Sequence, residues 1–197
     1  MPSMATAVVL LQILLNDNVA DLETITHVIR EDVGLTIQLL RLSGSIAGNF
    51  LRMPLSFGKL VVILGQAKLR EMVAEAAIIG DSLLVNAEGC SSFWLRARQT
   101  ARTAAQVTAE VFPELQDTAY ITGLLRHMGD LPALFGWRLP GLESAGPDEI
   151  GYRMARSWNF PNLLAEVIGG DEHACRSSRS QWLLRLIRAA EPTILRG

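Results

Sequence analysis

The chain has 197 residues, 49% of them hydrophobic and 19% charged, and a formal net charge of −2. That length and apolar content suit one domain or two small subdomains with a sizeable core and little disorder. A slightly negative chain with no basic patch among interleaved aromatics is not a nucleic-acid binder that works by bulk electrostatics.

The opening MPSMATAVVLLQILL is apolar but lacks a basic leader and a small-residue cleavage site, and Asn16-Asp17-Asn18 ends it before it could span a bilayer. It reads as the first core helix, with a signal peptide as the alternative. Asp21 is placed to cap a helix facing inward through Leu22, Ile25, Val28 and Ile29. Glu31-Asp32 then opens a helix from Val33 to Leu42, with Leu35, Leu39 and Leu42 in one row and Ile37 and Leu40 widening it. Ser43-Gly44-Ser45 and Gly48-Asn49 break the pattern. Ser56 is a plausible cap for a short helix containing Leu60, Ile63 and Leu64, which Gly65 ends. A longer helix from about Ala67 carries Leu69, Met72, Val73, Ala76 and Gly80 on one face.

A loop from Asn86 to Ser92 precedes a helix from Phe93 to about Val111, whose inner row Ala97, Ala101, Ala104, Ala105 and Thr108 lets a second helix lie close. Pro113 stops it. The next stretch, Asp117 to Leu134, reads DTAYITGLLRHMGDLPAL. Ile121, Leu124, Leu125 and Met128 give it one buried helical stripe, Gly123 permits close backbone approach, and Arg126, His127 and Asp130 set a polar cluster against that stripe. Beyond a loop from Gly136 to Pro147, Asp148 is expected to cap a helix from Glu149 to Ser157. Trp158 to Pro161 forms a turn, Pro161 opens a helix from Asn162 to Ile168, and Gly169-Gly170 ends it. A last helix, about Ser177 to Ala190, buries Trp182, Leu183, Leu186 and Ile187 before Pro192. No alternating run supports a sheet, so the fold class is all-α.

Gly123-Leu124-Leu125-Arg126-His127-Met128-Gly129 resembles the Gly-Leu-Leu-His-Asp-x-Gly segment of the HDOD family, a branch of the metal-dependent HD phosphohydrolases. Four further stretches resemble that family in order: His27 to Ser45, Leu60 to Gly65, Phe93-Trp94 with Ala97 and Ala101, and Gly151 with Trp158 to Pro161. The resemblance implies an HD-domain-like multi-helix bundle, with an N-terminal helical half over about 1–88 packed on a degenerate HD-like core over about 89–197. It also departs from the pattern at two ligand positions. Arg126 stands where the dyad histidine belongs and Arg96 where the family often has a histidine. A guanidinium has no lone pair to give a metal.

The resemblance therefore implies a noncatalytic signal-transduction module that binds a protein partner or serves as a regulatory output domain in bacterial signalling, with a link to cyclic-dinucleotide pathways. No cofactor is expected, nor any contact with membrane or nucleic acid. The alternative is a metal-dependent phosphohydrolase, or a nucleotide sensor, using a residual pocket. The residues that would contact a ligand there are Arg96, Arg126, His127, Asp130, Asp171 and His173. The arginines admit two readings: bidentate contacts to a phosphate or carboxylate ligand, or ion pairs with neighbouring acids that close the pocket. Cys90 and Cys175 are too few for a disulfide framework or cysteine zinc site and read as reduced thiols of a cytoplasmic protein.

Overall fold

The computed structural model describes residues 2–16, 21–47, 54–78 and 87–191. The helices are α1 (Ala5–Asn16), α2 (Leu22–Arg30), α3 (Val33–Ala47), α4 (Phe57–Ala74), α5 (Ala87–Val111), α6 (Gln116–Leu125), α7 (Leu131–Phe135), α8 (Pro147–Ser157), α9 (Asn162–Ile168) and α10 (Ser178–Ala190). Short 3-10 turns at Pro113–Leu115 and Met128–Asp130 flank α6. Among the described residues the strand pairing is one short parallel ladder, in which β1 (Pro2–Ser3) pairs with β2 (Ala77–Ile78). No described helix is long and apolar enough to cross a membrane.

Local chemistry accounts for several of these boundaries. The Asp21 carboxylate accepts from the Thr24 N–H at 2.6 Å and so caps α2. Ser177 and Ser180 form a reciprocal capping box at the start of α10. Asp32 caps α3 by accepting from the Leu35 N–H at 2.8 Å, while its other oxygen takes the Met4 N–H at 2.9 Å. Burial pushes the Asp32 carboxyl above the usual carboxylate range despite these donors. Gly34 has no Cβ because the Pro2 carbonyl lies where one would be, so β1 is strapped against the start of α3.

Some expectations are corrected. The Asp117 to Leu134 stretch is not one helix: α6 ends at Leu125, and the chain passes through the 128–130 turn into α7. Pro132 explains this, since in a continued helix it would lack the N–H for, and clash with, the carbonyl of Met128. Helix α3 runs through Ser43-Gly44-Ser45, where the Ser43 hydroxyl is buried and donates to the Leu60 carbonyl at 3.2 Å. Helix α5 begins at Ala87, so Ser91 and Ser92 lie within it. The N-cap of α8 is Gly146, with Asp148 in the first turn. Leu22 is exposed rather than inward, and in α10 the fully buried positions include Leu184 while Trp182 and Leu186 are half-buried. Gly65, at φ 74°, does break α4, although the two limbs remain end to end. The stops expected at Asp17-Asn18, Gly48-Asn49, Asn86 and Pro192, and the Gly80 position, lie outside the described residues.

The main core runs without a break from Val8 on α1 to Ile168 on α9. A smaller cluster, from Ala104 and Ala119 to Leu183, Leu184 and Ile187, seats α10. At the centre α5 and α6 lie in close contact, because a Cβ on Gly123 would come within 2.9 Å of the Ala101 Cα. The start of α6 is stapled to the segment before α4. The Leu55 N–H donates to the Thr118 hydroxyl (2.9 Å) and the Phe57 N–H to the Asp117 carboxylate (3.1 Å). Buried on both sides, α6 delivers Arg126 and His127 to one fixed place.

Candidate functional site

Arg126 follows α6 directly, and its side chain is only 7% exposed. A buried guanidinium must have its donors matched. Its Nη1 donates to Asp148 Oδ1 (2.8 Å) and to the Ile168 carbonyl (2.8 Å), and its Nη2 to Asp148 Oδ2 (3.3 Å). Its Nε lies 3.3 Å from Glu191 Oε1, within ion-pair range but forming no hydrogen bond. The site thus draws on the first turn of α8, the end of α9 and the residue after α10.

Two glycines make room for this arrangement. A Cβ on Gly129 would overlap the Pro147 carbonyl, so the absence of a side chain lets the start of α8 rest on the 128–130 turn. Gly170, at φ 68°, covers the Arg126–Asp148 pair, and a Cβ there would lie 2.7 Å from Arg126 Nη2. Its carbonyl accepts from Arg188 on α10.

Next to Arg126, His127 Nε2 lies 3.5 Å from Glu191 Oε1 without a hydrogen bond. Burial, and then the positive charges of Arg96 and Arg126, hold its pKa down at about 4, so the imidazole is neutral at pH 7. Arg96 reaches across from α5 and its Nη2 pairs with Asp130 Oδ2 at 2.8 Å. Burial pushes Asp130 above the usual carboxylate range against the pull of Arg96, and it pushes Glu191 up as well.

The structure therefore brings Arg96, Arg126, His127 and Asp130 into one cluster. Asp171 is exposed on the turn after α9 and lines a neighbouring cleft of about 610 Å³ between α8 and α9, which shares Asp148 with the cluster. His173 is exposed, its N–H donating to Asp171 Oδ1 at 2.9 Å. Sequence reasoning missed Glu191, Gly170 and the Ile168 carbonyl, and took Asp148 for a cap alone. Its place in the first turn of α8 was the one available signal, and nothing in the sequence ties it to Arg126.

A hydrolytic metal centre of the HD type is held by converging imidazole and carboxylate lone pairs. Here two of the side chains that meet are guanidinium groups, and Asp130 and Asp148 are each committed to one of them. Among the described residues no group of three or more His, Cys, Asp or Glu side chains is disposed to hold a metal ion. The residues present do not fit an HD-type metal centre.

A family model described as HDOD domain matches residues 1–136. Among curated proteins none matches the sequence. Among solved structures, the MmoQ response regulator (fragment 20-298) from Methylococcus capsulatus str. Bath is similar at a TM-score of 0.74 and 19% identity, over 96% of this chain and 81% of that one. A virulence factor from Campylobacter jejuni subsp. jejuni is similar at a TM-score of 0.72 and 16% identity, over 96% of this chain and 77% of that one. These likenesses establish the fold.

Proposed function

The chain belongs to the HDOD domain family, and from that premise we propose that it is a noncatalytic signalling module that acts by binding a protein partner. The observation that supports this reading is the state of Arg126. It occupies the place that the family resemblance assigns to the dyad histidine, and it is buried, paired with Asp148 and hydrogen-bonded to the Ile168 carbonyl. A cation so placed repels a divalent metal and offers it no lone pair. The relative described as a response regulator is consistent with a role in signalling. The cluster would then serve to fix the ends of α6, α8, α9 and α10 relative to one another, leaving the outer surfaces to partners.

The test is elemental analysis of the purified protein for Mn, Fe, Zn and Ni, followed by titration of each metal into chelator-treated protein. The expected result is no stoichiometric metal and no saturable uptake. One metal per chain, released when His127 or Asp130 is replaced, would overturn the noncatalytic reading and lead directly to phosphodiesterase assays.

A further inference from the structure

The cleft between α8 and α9 is walled by two facing rows. Asp148, Tyr152 and Arg156 recur at helical spacing on α8, and Asn162, Glu166 and Gly169 do so along α9 and its cap, so each row lies on one face of its helix. The rows run in opposite directions. At one end Arg156 Nη1 donates to Asn162 Oδ1, and at the other a Cβ on Gly170 would lie 2.5 Å from Asp148 Oδ2. Asp171, the next residue, lines this second end. Gly169 lets the Tyr152 ring lie against the main chain, since a Cβ there would come within 3.3 Å of Tyr152 Cβ and Cδ2. The ring, on a residue 38% exposed, is thereby held as an apolar floor midway along the cleft.

The charges that line the cleft do not all find partners within the chain. Asp148 is paired with Arg126 and Glu149 with Arg153. Glu166 and Arg176 carry opposite charges side by side on one wall, where the Arg176 N–H donates to Glu166 Oε2 at 3.1 Å. Two charges then stand without an ion-pair partner among the described residues. Arg156 meets only the neutral Asn162 amide, and Asp171 accepts only the His173 N–H. One is a cation at the first end of the cleft, and the other is a carboxylate at the second.

The span between them selects among dipolar ligands. From Asp148 to Arg156 the helix rises about 12 Å, at roughly 1.5 Å per residue. A free amino acid, with its two charges on one carbon, is too short to reach both ends. An extended peptide covers the span with three or four residues, at up to roughly 3.5 Å each. It also brings an apolar side chain to the middle, where Tyr152 stands. The cleft volume of about 610 Å³ is in the range of small-ligand sites.

We infer that this cleft is a binding site for a short extended peptide with free ends, its carboxylate at Arg156, its ammonium group at Asp171 and an apolar side chain on the Tyr152 ring. A guanidinium suits the first contact because it can grip a carboxylate with two parallel N–H donors. The site goes beyond the noncatalytic reading and does not rest on it, so a metal result leaves it untouched.

The test is an NMR titration of the whole chain at pH 7 with alanyl-phenylalanyl-alanine, following the amides of Tyr152, Gly169 and Asp171. Saturable shifts are expected with a dissociation constant of about 0.1–1 mM. The C-terminal amide and the N-acetyl form of the same peptide should each bind roughly five-fold more weakly, a comparison that needs no variant. In Arg156→Gln the penalty for the amide should vanish while that for the acetyl group remains. Asp171→Asn keeps an acceptor for the His173 N–H and should show the reverse, and Tyr152→Ala should weaken all three peptides alike. Absence of saturable shifts up to about 10 mM overturns the inference. Equal affinity for the free and capped peptides overturns it too, since an apolar contact alone would then account for the binding, as does an amide penalty removed by Asp171→Asn instead of Arg156→Gln.

Discussion

His127 carries the clearest residue-scale consequence of the cluster. An imidazole in water titrates near 6.5, and in the fold burial and then the nearby arginines hold this one at about 4. The folded value is the lower, so as pH falls protons bind the unfolded chain first. The stability in question is complete above about 6.5 and is lost as pH falls toward about 4, on the order of 3 kcal/mol in all. Urea unfolding of wild type and His127→Gln at pH 7 and pH 5 should show wild type losing about 2 kcal/mol more than the variant. Asp130 and Glu191, pushed up by burial, act in the opposite direction but do so in both proteins. Equal losses would mean that the imidazole is not held neutral. Part of this site was legible in the sequence, because Arg126 and His127 fall in a recognisable frame and Asp130 follows within a turn. Glu191 was not legible: it lies 3.3 Å from Arg126 in space but far from it along the chain, with no periodicity or spacing to link them.

At the scale of elements, period and breakers each served in part: Pro113 and Gly65 marked real interruptions, while the helical period carried one reading past the break at Pro132. The row from Ala97 to Thr108 was readable because a helical seam repeats, and Gly123 was readable because it faces such a seam. Ser43-Gly44-Ser45 misled because tertiary context overrides their weak helix preference: Ser43 is buried and its hydroxyl donates to the Leu60 carbonyl. The α5–α6 contact also permits a quantitative test. In Gly123→Ala the new methyl meets backbone, the Ala101 Cα at 2.9 Å and N at 3.1 Å, which cannot rotate away. Overpacking of this kind costs roughly 1–3 kcal/mol, against about 1 kcal/mol returned by the better helix former. A net loss in urea unfolding is expected, and Ala101→Gly should not rescue it, since the atoms in the way are main-chain. A stability at or above wild type would show that the two helices can separate at little cost.

For the whole molecule, the decisive feature is the single core that runs from α1 to α9. The all-α class was legible from the uniform helical period, and the order of helices largely followed. The β1–β2 pairing was not, because two residues on each side are too few to leave an alternating pattern. A continuous core predicts that the two halves of the chain unfold together. All four tryptophans lie at or beyond Trp94, so their fluorescence follows the second half while far-UV circular dichroism follows both. The two transitions should coincide in midpoint and slope. Fluorescence that changes separately from ellipticity would show that the halves are independent folding units.

Gly65 adds a consequence in terms of handedness. At φ 74° and ψ 162° it occupies a region closed to L-residues, and a Cβ built there meets nothing within 4 Å. The bend in α4 therefore behaves as a mirror-image residue set into an L-chain. An L-alanine at this position should cost about 1–3 kcal/mol through backbone strain alone. A D-alanine introduced by semisynthesis avoids that backbone strain and should leave the protein more stable than the L-alanine form by about 1–3 kcal/mol. Thermal unfolding of the two diastereomers compares folds of identical composition, and their difference measures the chirality of one bend.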